Sequence, residues 1–463
     1  MKEDNASAKS RRRSSIRDLL AAGIIAVILA VITPVITAAW AENASTAPER
    51  GTPQIGPAMN GHWVHTWTAM PQLTEPHNMP PAPFTQDNLV LADATLRQTI
   101  HVSIGGDQIR LRISNAFGGA PLPITAVTVA LPEGGRAGVS AIQPGTVRRV
   151  TFSGRQSVVI PVGAQMVSDP LNFRVAPGSN LTITMYLAEG QASNNITSHP
   201  GSRTTSYLLA GNHVNAVDLP GATPTDHWYF ISGLEVWARH TTSAIAILGD
   251  SLTDGRGSTT NMNNRWPDRL AERLRANRGT ADIAVLNQAA GGNRVLNDGL
   301  GPNVLARMDR DILALSGPQW LIVFEGINDI GTAEATEEAQ QQVVEDLIAA
   351  YEQIIVRAHA QGLRVYGATL LPFGGNDMYD DPEGHREAAR QAVNRWIRTS
   401  GRFDAVIDFD RAVRDPSDPS RLRPEADEGD HLHLNPTGYQ MLADAVPLHL
   451  FRWTSLPWGF GFN

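Results

Sequence analysis

The stretch AIAILGDSLTDGRGS, residues 244–258, decides the fold class of this chain. It opens with small apolar residues that do not alternate with polar ones, a pattern typical of a parallel strand covered on both faces. The run stops at Gly249, and Asp250 and Ser251 follow at once. Such an ending fits either an ordinary strand-to-loop exit or the display of Ser251 as a nucleophile.

The pattern of the first strand recurs along the carboxyl-terminal half of the chain. Further apolar runs alternate with helical stretches, and the runs are IAVLN (283–287), WLIVFEG (320–326), RVYGATLLP (364–372) and AVIDF (405–409). In the longest helical stretch one face is apolar at three- and four-residue spacing, formed by Val343, Leu347, Tyr351, Ile354 and Ala358. We therefore predict a doubly wound α/β domain with a parallel sheet over residues 242–450.

The amino-terminal half has the pattern of a different fold. Residues 61–240 show short alternating strands with few helical periods, which favours an all-β sandwich resembling a jelly roll. TIHVSIGGDQIRLRISN (99–115) alternates on both sides of Gly105-Gly106-Asp107 and predicts a hairpin. The aromatic residues Trp63, Trp67, Trp228 and Tyr229 are candidates for stacking on a glycan, but core packing is the favoured interpretation.

The two ends of the chain lie outside these domains. Residues 1–41 combine a basic start, a long apolar run and an Ala-Trp-Ala site, which predicts a signal peptide and a secreted or periplasmic protein. The run is also long enough for an uncleaved membrane anchor, which is the alternative. After cleavage we expect no stable membrane insertion. Residues 42–60 are predicted to be a flexible leader, and residues 451–463 an aromatic tail without an assigned role.

Composition excludes several classes of chemistry. The chain has 463 residues, a net charge of −8, no Cys, and Lys only at positions 2 and 9. Thiolate nucleophiles, Cys-ligated zinc, and Schiff-base or P-loop lysines are therefore excluded from the mature protein. Nucleic acid is not an expected partner, because such sites need a basic surface. We expect no cofactor.

Polar side chains follow the predicted strands at the edge where a parallel sheet binds ligands. Asp250 and Ser251 follow the first strand, NQAAGGNR (287–294) ends the second, and EGIND (325–329) ends the third. GDHLHLNPTGY (429–439) comes after the last strand. We expect these four segments to converge in space.

Together the four segments supply what ester hydrolysis needs. Ser251 can act as the nucleophile, His433 as the base, and Asp430, three residues earlier, as the group that orients the imidazole. The N–H groups of Ser251 and Gly292 and the amide of Asn328 can hold the oxyanion.

Some assignments at this site stay open. His431 competes with His433 as the base, and Gly291 competes with Gly292 as the donor. His431, His433 and Asp430 also form a loose metal signature, although a metal is not the favoured interpretation.

Four further residues are assigned to the surroundings of the site. Asp250 and Asp329 are expected to support it, Asp250 by bonding within its turn and Asp329 by steadying Asn328. Trp266 and Arg294 are candidates for the substrate mouth, with helix packing and a surface salt bridge as their alternatives.

These motifs also carry a family resemblance. GDSLTDG, NQAAGGNR, GIND and DHLH resemble, in order, the four blocks of the GDSL or SGNH hydrolase superfamily. The resemblance covers roughly residues 242–450 and implies a flavodoxin-like, three-layer α/β/α fold and serine ester hydrolysis. The resemblance implies the same roles for these residues: Ser251 as nucleophile and oxyanion donor, Gly292 and Asn328 as the other oxyanion donors, His433 as base and Asp430 as the orienting acid. The chain also resembles secreted bacterial members of this superfamily that have an amino-terminal β domain.

The expected function is a secreted serine esterase that acts through an acyl-enzyme. Short acyl (acetyl) esters on carbohydrate are the expected substrates, and the expected partner is a small-molecule or polysaccharide ester. The alternatives are a lipase or lysophospholipase acting on longer chains, and a glycan-binding protein with an inactive hydrolase domain.

Overall fold

The amino-terminal part of the chain is rich in β-strands, as its alternating pattern predicts. The computed structural model describes residues 61–452, which lie within one compact unit. The strands of this part, in chain order, are β1 (Gly61–Thr68), β2 (Gln72–Leu73), β3 (Thr85–Gln86), β4 (Leu89–Val90), β5 (Ala94–His101), β6 (Gly106–Ser114), β7 (Leu122–Ile124), β8 (Ala126–Ala130), β9 (Arg148–Val150), β10 (Val158–Ile160), β11 (Gln165–Val167), β12 (Leu171–Val175), β13 (Asn180–Leu187), β14 (Thr197–His199), β15 (Ser206–Ala210), β16 (Thr223–Thr225), β17 (Trp228–Tyr229) and β18 (Ile231–Arg239).

These strands pair antiparallel in several sheets. The largest has the order β16-β15-β5-β13-β8-β9, and a second has the order β1-β18-β6-β11 with β12 also paired to β6. A three-stranded sheet has the order β17-β14-β2, and β10-β7 and β3-β4 form two-stranded pairs. Alternate residues of strands such as β6 are buried, which is the burial expected of antiparallel strands with one face on a core.

The hairpin predicted across Gly105-Gly106-Asp107 is wrong. β5 pairs with β13 and β15, whereas β6 pairs with β11, β12 and β18, so the segment crosses between two sheets. A Cβ on Gly105 would lie 2.5 Å from the carbonyl oxygen of Val175. The glycine thus permits close packing at the crossover, and alternation alone cannot distinguish such a crossover from a tight turn.

The carboxyl-terminal part contains the predicted parallel sheet. Its strands are β19 (Ser243–Gly249), β20 (Ile283–Ala289), β21 (Pro318–Phe324), β22 (Arg364–Ala368) and β23 (Ala405–Ile407). Their order is β20-β19-β21-β22-β23, and all neighbours are parallel. Gly249 is in register with Ala289 on one side and Phe324 on the other. The loops after the first three strands therefore leave the sheet at the same edge.

Helices connect these strands, so this part is a mixed α/β domain. They are α1 (Ser251–Asp254), α2 (Trp266–Ala276), α3 (Val304–Met308), α4 (Ile327–Thr332), α5 (Glu337–Ala360), α6 (His385–Thr399), α7 (Phe409–Val413) and α8 (Pro436–Ala445). A π-helical turn, Asp309–Leu313, extends α3, and 3-10 turns lie at Pro76–Asn78, Glu133–Gly135 and Leu448–Phe451. On α5 the predicted face is buried at Leu347, Tyr351, Ile354 and Ala358, while Val343 is partly buried.

The two parts of the described chain pack against each other. The apolar core of the β-rich part includes Ala284 and Leu286 of β20. The backbone N–H of Val285 donates to the hydroxyl of Ser103 at 3.1 Å, and the hydroxyl of Thr68 donates to the carbonyl of Asn287 at 3.1 Å. The β-rich part therefore contacts the strand that leads into the NQAAGGNR segment.

Several predictions fall on residues that the structure does not describe. The signal peptide over residues 1–41, the leader over 42–60 and all but the first two residues of the tail over 451–463 lie outside the described range. Within residues 61–452, no helix is both long and apolar enough to cross a bilayer. The domain boundaries at residues 240 and 242 stay predictions.

Candidate active site

Ser251 begins the four-residue helix α1 at the carboxyl end of β19. The carboxylate of Asp250 caps this helix by accepting from the N–H of Leu252 at 2.9 Å, a bond within its own turn. Gly255, with a left-handed φ of 96°, ends the helix after a single turn. The Asp-Ser sequence and the glycine thus fix a sharp turn that presents Ser251, of which 8% remains exposed.

The structure brings Ser251, His433 and Asp430 together. The Ser251 hydroxyl lies 2.8 Å from Nε2 of His433, although 182 positions separate the two residues. Nδ1 of the same ring lies 2.7 Å from Oδ2 of Asp430. The other oxygen of Asp430 accepts from the backbone N–H of His433 at 2.8 Å, which fixes the carboxylate against the ring.

The electrostatics of this chain of contacts favour a neutral imidazole. Burial lowers the pKa of His433, and this effect exceeds the raising effect of the hydrogen bond and charge of Asp430. Partial burial alone would raise the pKa of Asp430, but the hydrogen bonds and charge of His433 hold it below its usual range. A neutral imidazole beside a hydroxyl can accept its proton, and an ionised carboxylate can stabilise the resulting imidazolium.

The loop after β20 carries the predicted donor Gly292, which has a φ of +72°. The N–H of Gly291 donates to the carboxylate of Asp254 at 3.1 Å, and the N–H of Asn293 donates to the carbonyl of Ala290 at 3.2 Å. Among the residues that the structure describes, the N–H of Gly292 meets no acceptor. The N–H of Gly292 is thus available to a ligand oxygen, whereas that of Gly291 is engaged.

The amide of Asn328, at the start of α4, is held in one orientation. Its Oδ1 accepts from the hydroxyl of Tyr379 at 2.6 Å, and its Nδ2 donates to the carbonyl of Asn293 at 2.8 Å. Burial, followed by the charge of Asp250, raises the pKa of Tyr379 to about 12, so the hydroxyl stays a donor. A primary amide has two N–H donors, so one hydrogen of Nδ2 remains for a further acceptor.

Comparison with known families identifies this part of the chain. Residues 247–441 match the model of the GDSL-like lipase/acylhydrolase family. This segment is a GDSL-like lipase/acylhydrolase domain. The resemblance that the four motifs indicated is confirmed over these residues, and the match supports a carboxylic ester hydrolase.

Solved structures similar to this chain cover less than half of it, at low identity. They include a protein described as lipolytic and of the G-D-S-L family from Desulfitobacterium hafniense DCB-2, which is 18% identical, with 44% of this chain and 97% of that chain covered and a TM-score of 0.33. The acetylxylan esterase Axe2 from Geobacillus stearothermophilus is 20% identical, with 44% and 91% covered and a TM-score of 0.33. No curated protein matches the chain.

Buried carboxyl groups lie close to the turn that carries Ser251. Burial raises the pKa of Asp250 to about 7, and burial together with the charge of Asp250 raises that of Glu325 well above its usual range. Nη2 of Arg307 lies 3.7 Å from Oε2 of Glu325 and is the nearest compensating charge. The carboxyl groups of Asp250 and Glu325 therefore ionise less readily than carboxyl groups in water.

Asp329 supports the site differently from the prediction. Its two carboxylate oxygens accept from the backbone N–H groups of Val295 and Leu296, each at 2.9 Å, and not from Asn328. Burial raises its pKa to about 6 despite these bonds. Asp329 therefore fixes the loop after β20.

The prediction that Trp266 lines the substrate mouth is wrong, and its alternative, helix packing, is correct. Its side chain is fully buried, packs edge-on against Phe409, and donates from Nε1 to the hydroxyl of Thr253 at 3.1 Å. At the start of α2, an amphipathic helix, the tryptophan belongs to the inward face, which position in the sequence alone did not reveal.

Arg294 is half-buried beside the GDSL site. Its guanidinium contacts the hydroxyl of Thr332 at 3.3 Å and the carbonyl of Asp298. Within residues 61–452, both of these partners are oxygen atoms that carry no formal charge. Its position over the loop that follows Gly292 leaves the mouth assignment as a prediction.

The two alternatives that involved His431 are not supported by its position. Nδ1 of His431 lies 2.6 Å from Oδ2 of Asp427, on the exposed side of the loop, so His433 alone contacts Ser251. Across the described part of the chain, no cluster of His, Asp and Glu has the arrangement of a metal site.

The aromatic residues considered for glycan stacking belong mainly to the core. Trp67, Trp228 and Tyr229 are at most 5% exposed. Trp63 is partly exposed but packs edge-on against Trp237 and beneath the guanidinium of Arg110. The favoured interpretation of core packing accounts for these side chains.

Proposed function

We propose that the chain hydrolyses carboxylic esters through an acyl-enzyme formed on Ser251. The observation that carries the proposal is the continuous contact from the Ser251 hydroxyl to His433 and from His433 to Asp430. The lowered pKa of His433 supports its role as a base, because the imidazole is then neutral near pH 7.

In the first half-reaction, Oγ of Ser251 attacks the ester carbonyl carbon while its proton moves to Nε2 of His433. The carbonyl π-bond becomes the oxyanion of a tetrahedral intermediate, and Asp430 stabilises the imidazolium. The intermediate collapses, the bond to the leaving alkoxy oxygen breaks, and His433 returns the proton to that oxygen. An alcohol leaves, and the acyl group remains on Ser251.

In the second half-reaction, a water molecule takes the place of the alcohol. His433 accepts one of its protons as the oxygen attacks the acyl carbon, and the second intermediate collapses with release of Oγ. His433 then returns the proton to Ser251. The carboxylic acid leaves, and the resting enzyme is restored.

The oxyanion would be held by the N–H groups of Ser251 and Gly292 and by Nδ2 of Asn328. The absence of an acceptor for the Gly292 N–H among the described residues supports this role. The fixed orientation of the Asn328 amide supports the third donor, because preorganised donors require no rearrangement during the reaction.

Short acyl esters of a carbohydrate are the substrates we favour. Leu300 packs so closely on Gly292 that a Cβ at position 292 would lie 2.4 Å from its Cδ1. The side chains of Leu300 and Tyr379 thus lie beside Gly292 and Asn328, and we propose that they limit the length of the acyl chain. Exposed polar groups nearby, including Arg256 and Glu428, would suit a hydroxylated alcohol.

The finer architecture and the location belong to the same proposal. Helices α2 and α8 pack on each other, as do α5 and α6, and we propose that the two pairs cover opposite faces of the sheet in a three-layer α/β/α arrangement. We also propose that the β-rich part is a sandwich and that residues 1–41 direct export. Peptide mapping of the amino terminus of the exported protein tests the last point.

The test is hydrolysis of p-nitrophenyl esters from acetate to palmitate, with Ser251→Ala as the control. We expect the highest kcat/KM at acetate, a steep fall with chain length, and no activity in the variant. A maximum at long chains would favour the lipase alternative. Absence of any Ser251-dependent hydrolysis, combined with binding of glycans, would favour the non-catalytic alternative.

A further inference from the structure

His199, at the end of β14 in the β-rich part, reaches into the GDSL domain. Its Nε2 lies 2.9 Å from Oδ1 of Asp254, the last residue of the helix that Ser251 begins. Both side chains are almost fully buried, at 4% and 2% exposure. The ring also stacks on Trp228, with centroids 5.8 Å apart.

Both ring nitrogens of His199 have a protein partner. Nδ1 lies 3.0 Å from the carbonyl oxygen of Met70, and Nε2 lies 2.9 Å from Oδ1 of Asp254. The ring is therefore held between the backbone of the β-rich part and the Asp254 carboxyl group. Burial alone would raise the pKa of Asp254, but the charge and hydrogen bond of His199, with smaller effects from Arg203 and Arg265, hold it below its usual range.

The second carboxylate oxygen of Asp254 contacts the loop after β20, which carries Gly291 and Gly292. Oδ2 accepts from the N–H of Gly291 at 3.1 Å, one residue before Gly292, whose N–H meets no acceptor within residues 61–452. Two consecutive glycines are the least restricted pair of residues in a chain, so their N–H groups need an external contact to hold one direction. Asp254 supplies that contact.

The β-rich part also fixes the position of Asp254 by packing. A Cβ on Gly201, two residues after His199, would lie 1.7 Å from Oδ2 of Asp254. Only a glycine allows the backbone of this segment to approach the carboxylate so closely. The segment His199–Gly201 therefore restricts Asp254 through a hydrogen bond and through direct contact.

We propose that the β-rich part is a component of the hydrolase site, in which His199 acts as a positioning residue that holds Gly292 through Asp254 and Gly291. The inference rests on the proposed role of Gly292 as an oxyanion donor. It gives the β-rich part a role in catalysis through a residue that lies outside the four motifs of the GDSL domain.

The test compares His199→Gln with a matched control, His65→Gln. His65 is also a fully buried histidine of the β-rich part, and its Nδ1 lies 2.7 Å from the hydroxyl of Ser316 in the GDSL domain. Ser316 precedes the amino end of β21, so this contact lies about 20 Å from the edge that carries Ser251, the length of a seven-residue strand.

We expect His199→Gln to lower kcat on p-nitrophenyl acetate roughly 10-fold and His199→Ala about 100-fold, since loss of one oxyanion donor costs about 100- to 1,000-fold. KM should change little, because the oxyanion forms only after substrate binds. The double variant His199→Gln, Asp254→Asn should have the same kcat as the less active of the two single variants, because both substitutions break the same chain of contacts. His65→Gln should keep the wild-type kcat.

A second measurement tests the same chain of contacts without relying on catalysis. Amide hydrogen exchange of the peptide that contains Gly291 and Gly292 should be faster in His199→Gln and unchanged in His65→Gln. Unchanged exchange and kcat in His199→Gln, or equal losses in both variants, would overturn the inference. Faster exchange in an enzyme whose hydrolysis does not depend on Ser251 would instead contradict the proposed function and leave the positioning of the loop established.

Discussion

The hydroxyl of Tyr379 donates to Oδ1 of Asn328 at 2.6 Å and decides which end of the amide faces the site. Without this bond the amide could rotate, and oxygen rather than nitrogen could then face a developing negative charge. Asn293 supplies the second constraint by accepting from Nδ2. The orientation of a predicted donor thus depends on a residue 51 positions away.

We predict that Tyr379→Phe lowers kcat roughly 10-fold and leaves KM nearly unchanged, whereas Asn328→Ala costs about 100-fold or more. Steady-state kinetics on p-nitrophenyl acetate measure both effects. The control is Tyr366→Phe, which removes a hydroxyl that bonds the carbonyl of Leu450 away from the site. Equal activities of Tyr379→Phe and Tyr366→Phe would contradict the positioning role.

Alanine at the two adjacent glycines should have different effects. A Cβ at Gly291 would meet its nearest atom at 3.7 Å, which is ordinary contact. A Cβ at Gly292 would lie 2.4 Å from Leu300, on a backbone whose positive φ disfavours side chains. We predict that Gly292→Ala lowers kcat by at least about 10-fold, whereas Gly291→Ala keeps most of it. The reverse order would favour Gly291 as the donor.

The pH dependence of kcat/KM should show one acid limb below the ordinary imidazole pKa of 6.5. Burial lowers the pKa of His433, and the neutral ring is the form that accepts the Ser251 proton, so activity falls as pH drops through that lowered value. A pH–rate profile in a salt-matched buffer series measures it. If kcat/KM of the Asp250→Asn variant falls over the same pH range, the titrating group is His433. A fall of kcat/KM that is centred above pH 6.5 would contradict this assignment.

Asp250→Asn should stabilise the fold at neutral and alkaline pH. The pKa of Asp250 rises from 3.8 to about 7 on folding, so the native state holds a proton that the unfolded state releases, and stability is lost as pH rises through this window. Asparagine does not ionise and can still accept from Leu252. The gain in unfolding free energy should grow from pH 4 to pH 7 and reach at most about 4 kcal/mol.

Urea denaturation at pH 4, 6 and 8 measures this gain. Asp107→Asn, at an exposed carboxylate, serves as the control. A gain that is equal at pH 4 and pH 8 would show that the benefit is not linked to ionisation of Asp250.

The sequence allowed prediction of the parallel sheet because its strands are buried on both faces and are therefore apolar throughout. It did not allow prediction of the pairing in the β-rich part, since alternation reveals which face of a strand is buried but not which strand lies beside it. The false hairpin at Gly105 and Gly106 has this cause. Trp266 was misassigned because nearness in sequence to Ser251 does not show which way a helix faces.

The structure brings together the predicted site residues that lie in short motifs. The residues that hold those side chains in place could not be predicted from the sequence. Ser251, Gly292, Asn328 and His433 each follow a strand or a turn with a recognisable pattern. Tyr379 and His199 lie in segments without such a pattern, and only the three-dimensional fold brings them to Asn328 and Asp254.

The most direct test of the central claim is to identify the residue that a p-nitrophenyl phosphonate ester modifies. Such a reagent transfers its phosphonyl group to an activated serine. We predict a single adduct on Ser251, in the tryptic peptide 240–256, HTTSAIAILGDSLTDGR, with loss of activity in proportion to labelling and no adduct in His433→Ala. An adduct on another residue, or inactivation without modification of Ser251, would contradict the claim that Ser251 is the nucleophile.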